Sequence, residues 1–101
     1  MNNILKTSPN PDNRKSWMIT AEVETPKHII LRYIPDKLIS DHDDLKKLIQ
    51  QYANNDEISP EEIVLNLIED VNNELVPKWL EVLYKHNGIC VKVEDQQPGQ
   101  N

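Results

Sequence analysis

The chain has 101 residues and 11.8 kDa, with 17 acidic against 11 basic side chains, a net charge of −6 and a pI near 4.9. One small domain is expected, and a chain of this size buries only roughly 60 to 65 % of its unfolded surface, so it gains from oligomerising. The acidic balance excludes a general nucleic-acid binder, which needs a clustered basic surface. Apolar runs stop at about four residues, well short of the ~20 of a membrane helix.

Residues 1–14 carry Pro9 and Pro11 among small polar residues and read as an ordered arm or a loose lead-in outside the core. Met1-Asn2-Asn3-Ile4-Leu5-Lys6 has no apolar run after it, so no signal peptide is expected, and the reading is of a soluble, cytoplasmic protein. Residues 15–95 hold the domain. Trp17, Ile19, Ala21 and Val23 alternate with Met18, Thr20, Glu22 and Glu24, the pattern of a half-buried strand. Thr25-Pro26-Lys27 makes a turn into a second, β-branched strand over His28 to Ile34, stopped by Pro35-Asp36.

A helix is expected from Asp41 to Ala53, with Leu45, Leu48, Ile49 and Tyr52 on one face and Asp41, Asp43 and Asp44 in its first turn. Ser59-Pro60-Glu61-Glu62 then supplies an N-cap, a proline at N1 and a glutamate at N3, a capping box. The stripe Ile63, Val64, Leu67, Ile68, Val71 and Leu75 is core and runs as far as Pro77. A third strand over Trp79 to Lys85, a tight turn at His86-Asn87-Gly88 and a fourth strand over Ile89 to Asp95 follow. Residues 96–101, with Pro98 and Gly99, read as a flexible tail.

The fold class is therefore α+β, in the order β-β-α-α-β-β, with two helices on one face of a four-stranded antiparallel sheet. The face under the helices holds Trp17, Ile19, Ala21 and Val23, then Leu80, Val82 and Tyr84, then Ile89, Val91 and Val93. The other face mixes Glu22, Glu24, Glu81, Lys85, Lys92 and Glu94 with Met18, Trp79, Leu83 and Cys90. Such a face either meets water or packs on another subunit, and Trp79 and Leu83 point to packing.

Tyr33-Ile34-Pro35-Asp36-Lys37 resembles the segment that ends the second strand in the 7-cyano-7-deazaguanine reductases of queuosine biosynthesis, members of the T-fold superfamily. Ser8-Pro9-Asn10-Pro11-Asp12, Val76-Pro77-Lys78-Trp79 and Asn87-Gly88-Ile89 are similar to that family's amino-terminal lead-in, third-strand start and last hairpin turn. The resemblance implies side-by-side assembly into an oligomeric β-barrel with helices outside. It also implies a purine- or deazaguanine-like base held between subunits by a carboxylate, which accepts two parallel N–H bonds from a guanine-like edge. Counting back from Trp79 puts that acid on Glu61, with Pro60 where the family has histidine. Glu61 has a second reading as plain first-turn helix charge.

The family's catalytic parts do not carry over. Its nucleophilic cysteine lies in a loop between the first two strands, where this chain has only Glu24-Thr25-Pro26-Lys27-His28. A nitrile carbon needs a strong, soft nucleophile, and threonine without a base is a poor one. Cys90, on the last strand, reads as a packing residue. The family's phosphate-binding Lys and Ser entering the first helix are replaced by Asp43 and Asp44, which repel phosphate, so no cofactor, NADPH included, is expected. His28, His42 and His86 lack metal-ligand spacing, and no metal site is expected. Three functions stay open: a non-catalytic or chemically altered subunit, acting as a homo-oligomer or with a catalytic homologue; a hydrolase or reductase of queuosine- or pterin-type metabolism completed by a partner subunit; or a structural interaction module.

Overall fold

The computed structural model describes residues 5–98. The expectations that involve Met1 to Ile4 and Gly99 to Asn101 lie outside the described residues. Six strands and two helices follow one another as β1 (Thr7–Pro9), β2 (Ile19–Val23), β3 (His28–Ile34), β4 (Leu38–Ser40), α1 (His42–Ala53), α2 (Pro60–Leu75), β5 (Trp79–His86) and β6 (Ile89–Gln96). The β-β-α-α-β-β order is present, as an antiparallel sheet β2-β3-β5-β6.

Register places side chains in rows across this sheet. Ile19, Tyr33 and Leu80 share one row, Ala21, Leu31, Val82 and Val93 the next, and Val23, Ile29, Tyr84 and Val91 a third. These rows lie under the helices, α1 over β2 and β3 and α2 over β5 and β6. From α1 the core takes Leu45, Leu48, Ile49 and Ala53. From α2 it takes Ile63, Val64, Leu67, Ile68, Val71 and Leu75, the stripe read from the sequence. Tyr52 stays half-buried at the edge of the helix layer, because its hydroxyl donates to Asp70 Oδ2 at 2.6 Å and so keeps a polar tip near water.

Both helix starts form as their sequences dictate. Asp41 caps α1 through its carboxylate, which accepts from the Asp44 N–H at 3.0 Å. In α2 the Ser59 hydroxyl accepts from the Glu62 N–H and the Glu62 carboxylate accepts from the Ser59 N–H, each at 3.1 Å. That helix ends at Val76 in the left-handed region, φ 44°, one residue before Pro77. The β5–β6 hairpin closes through Asn87 and Gly88, both at positive φ, the two-residue turn that suits the strands' twist.

Three expectations change. The first concerns the arm, which takes part in the fold: Leu5 is 2 % exposed within the core cluster, and β1 pairs antiparallel with β4. The Leu5 N–H donates to Glu74 Oε1 at 3.1 Å, and Asn10 Nδ2 donates to the Asp36 carbonyl at 2.7 Å. The second concerns the hairpin end of the apolar face, where Ile89 is 51 % exposed because it lies on an edge strand beyond the helices' reach. The third concerns the start of the first strand, which lies at Ile19 rather than Trp17. Among the described residues, no helix is long and apolar enough to cross a membrane.

Candidate functional site

The face of the sheet away from the helices is built by the alternate residues. One row joins Thr20, Arg32, Glu81 and Glu94, and its neighbour joins Glu22, Ile30, Leu83 and Lys92. Glu81 and Glu94 stand directly opposite, a repulsive placement unless cations intervene. Two do. Arg32 Nη1 donates to Glu81 Oε1 at 3.2 Å, while Lys92 Nζ lies 3.3 Å from Glu94 Oε2 and 3.9 Å from Glu81 Oε2. The Trp79 indole N–H donates to Glu94 Oε1 at 3.3 Å, which lays the ring across this network. Glu81 is only 8 % exposed. Trp79, Leu83, Ile30 and Ile34 are half-buried on the same face, and His28 pairs with Glu22 at its rim.

Glu61 stands at the second position of α2, exposed, and makes no hydrogen bond or ion pair among the described residues. Its neighbour Glu62 is committed to the capping box. The pair thus divides: one carboxylate holds the helix start and the other is unengaged.

The acids entering α1 do structural work. Asp41 is the cap, and Asp44 Oδ2 accepts from the Lys6 N–H at 3.0 Å, tying the arm to the helix. What the sequence did not disclose is a groove of about 470 Å³ between β2 and α1, lined by Ile19, Thr20, Ala21, Glu22, His42, Leu45 and Lys46. It joins segments some twenty residues apart, and its one sequence signal is that His42 and Lys46 stand a helical turn apart.

The connection from β2 to β3 is clamped. Lys27, mostly buried, donates from Nζ to the Asn55 carbonyl at 2.7 Å and lies 3.1 Å from Asp56 Oδ1. Gln50 Nε2 donates to the Thr25 carbonyl at 2.9 Å. Cys90 is exposed on β6, paired in register with Lys85 on the face away from the helices, which corrects its reading as a packing residue: side chains alternate along the strand, so Val91 and Val93 pack on the core and Cys90 does not. The three histidines are apart in role, His28 on Glu22, His42 in the groove and His86 edge-on to Tyr84 at 6.4 Å. No group of three or more metal-ligating side chains occurs among the described residues.

Two hydroxyls are perturbed. Burial pushes the Tyr33 phenol up, partly offset by the Ser40 N–H that donates to it. Burial also raises Tyr52, reinforced by its bond to the Asp70 carboxylate.

These elements define a class: a two-helix, antiparallel α+β domain with one covered sheet face and one charged, aromatic-bearing face left open. The model of the QueF-like protein family matches residues 27–97, and the chain belongs to that family. A solved structure of similar fold, the apo form of the archaeosine synthase QueF-Like, superposes with a TM-score of 0.57 at 20 % identity, over 98 % of this chain and 98 % of that one. A search of the curated proteins finds no match.

Proposed function

We propose that this chain is an assembling, base-binding member of its family that does not carry out nitrile reduction. Copies assemble side by side, with each other or with a catalytic homologue, and the open face packs through Trp79 and Leu83 on another subunit. A purine- or deazaguanine-like base is held where subunits meet, in the cytoplasm. The observation that carries this reading is the division of labour at the start of α2. Glu62 closes the cap, while Glu61 next to it is exposed and unengaged, free to accept two N–H bonds from a guanine-like edge. The clamped Thr25-Pro26-Lys27 turn supports the absence of nitrile chemistry, because it fills the connection in which the reductases carry their cysteine loop.

Calorimetric titration with 7-cyano-7-deazaguanine and with guanine tests it. Wild type is expected to bind at least one, and Glu61→Ala to lose that binding. No heat from either base with wild type, or equal binding by Glu61→Ala, overturns the assignment.

The groove carrying His42 and Lys46 favours a second reading, a hydrolase of a purine-like ring in which one subunit's Glu61 works with another's histidine. Turnover of such a base without added cofactor, lost in His42→Ala, would support it over the first.

A further inference from the structure

The β5–β6 turn carries a reactive pair that the functional reading leaves unused. Asn87 is the one asparagine of the chain followed by glycine, so no side chain at the next position hinders approach to its amide. Both residues are exposed, and the space around Gly88 is open, with nothing within 4 Å of where a Cβ would stand. Four other asparagines are tied, Asn10 to the Asp36 carbonyl, Asn54 to Gln50, Asn55 to the Glu57 N–H and Asn72 to Asp95, while Asn13, Asn66 and Asn73 are followed by the bulkier Arg14, Leu67 and Glu74. The Asn87 side chain makes no such bond among the described residues. The turn also sits at the end of an edge strand, beside the half-exposed Ile89, so it opens without disturbing the core.

We propose that Asn87 is a site of spontaneous deamidation through a cyclic imide. The Gly88 backbone nitrogen attacks Asn87 Cγ. The new N–Cγ bond replaces the Cγ–NH₂ bond, and the amine leaves as ammonia with the proton from the Gly88 amide. Water then opens the imide at either carbonyl, giving aspartate or isoaspartate; nothing is oxidised or reduced. Both products add one negative charge. Aspartate-glycine suits the same positive-φ turn and leaves the hairpin intact. Isoaspartate adds a methylene to the backbone, and the two-residue turn no longer brings His86 opposite Ile89.

The test is to age the folded full chain in mildly alkaline buffer at physiological temperature, reading the exchange of NH₂ for OH by intact mass and locating it by peptide mapping. The same is done for the chain in denaturant and for Asn87→Gly, which takes the positive φ without strain. Conversion is expected first at Asn87 in folded wild type, with Asn54, Asn55 and Asn72 still intact. The acidic isoform is expected to be missing from Asn87→Gly. An Asn87 that stays intact in the folded chain while the denatured chain converts would overturn the proposal. So would acidic isoforms forming as fast in Asn87→Gly as in wild type.

Discussion

The two faces of the sheet are made by the same four strands, yet they are held by different physics. Beneath the helices, Ile29, Leu31, Tyr33, Leu80 and Val82 are fully buried, and the stabilisation comes from apolar area removed from water. On the open side, the order comes from charges placed in register, with Arg32 and Lys92 separating Glu81 from Glu94 and the Trp79 indole bonded to the last. The covered face needs only apolar side chains of the right volume. The open face needs particular partners at particular rows, and it still leaves Trp79, Leu83, Ile30 and Ile34 half exposed. A face that is both ordered and partly apolar is suited to meeting another surface.

The sharpest way to break this contrast is to truncate the covered face. Leu31→Ala is expected to cost about 2–5 kcal/mol, a large share of a small domain's stability, read from the urea midpoint. A loss under about 1 kcal/mol would mean that the core is looser than its burial implies. Tyr52→Phe removes one bond to Asp70 while keeping the ring, and is expected to cost about 0.5–1.5 kcal/mol. It also has a pH signature. Because the folded phenol is raised above its ordinary value of 10.0, the unfolded state ionises first. Stability is therefore fully present below that value and lost as pH rises past it. Tyr52→Phe should flatten that alkaline loss, and an unchanged slope would exclude the Tyr52–Asp70 pair as its source.

An effect well below that of Leu31→Ala belongs to the open face. Glu81→Gln leaves Arg32 and Lys92 without their shared carboxylate and is expected to cost about 1 kcal/mol, less at high salt. A cost equal to that of Leu31→Ala would erase the distinction between the faces.

The covered face was legible because alternation and the helical stripe are local signals: Ile63 to Leu75, the Ser59–Glu62 box and the Asn87-Gly88 turn all form where the sequence puts them. The β1–β4 pair was not. Thr7–Pro9 and Leu38–Ser40 are too short to show a period, and their pairing joins segments some thirty residues apart. Leu5 was read as part of an arm for the same reason, since a lone leucine among polar residues has no pattern to reveal its burial. In the candidate site, the places of Glu61, Asp41 and Asp44 in their helix starts were readable, whereas the bond from the Lys6 amide to Asp44 joins segments far apart in the chain and has no local signal. The groove at His42 and Lys46 depends on a contact between α1 and β2, which no local pattern encodes.

Assembly through the open-faced sheet is the central claim, and the mass of the full chain in solution tests it most directly. Light scattering on wild type is expected to give several times the 11.8 kDa of one chain, falling toward that value in Trp79→Ala/Leu83→Ala. A wild-type mass of 11.8 kDa, or a variant mass equal to an oligomeric wild type, would contradict the account.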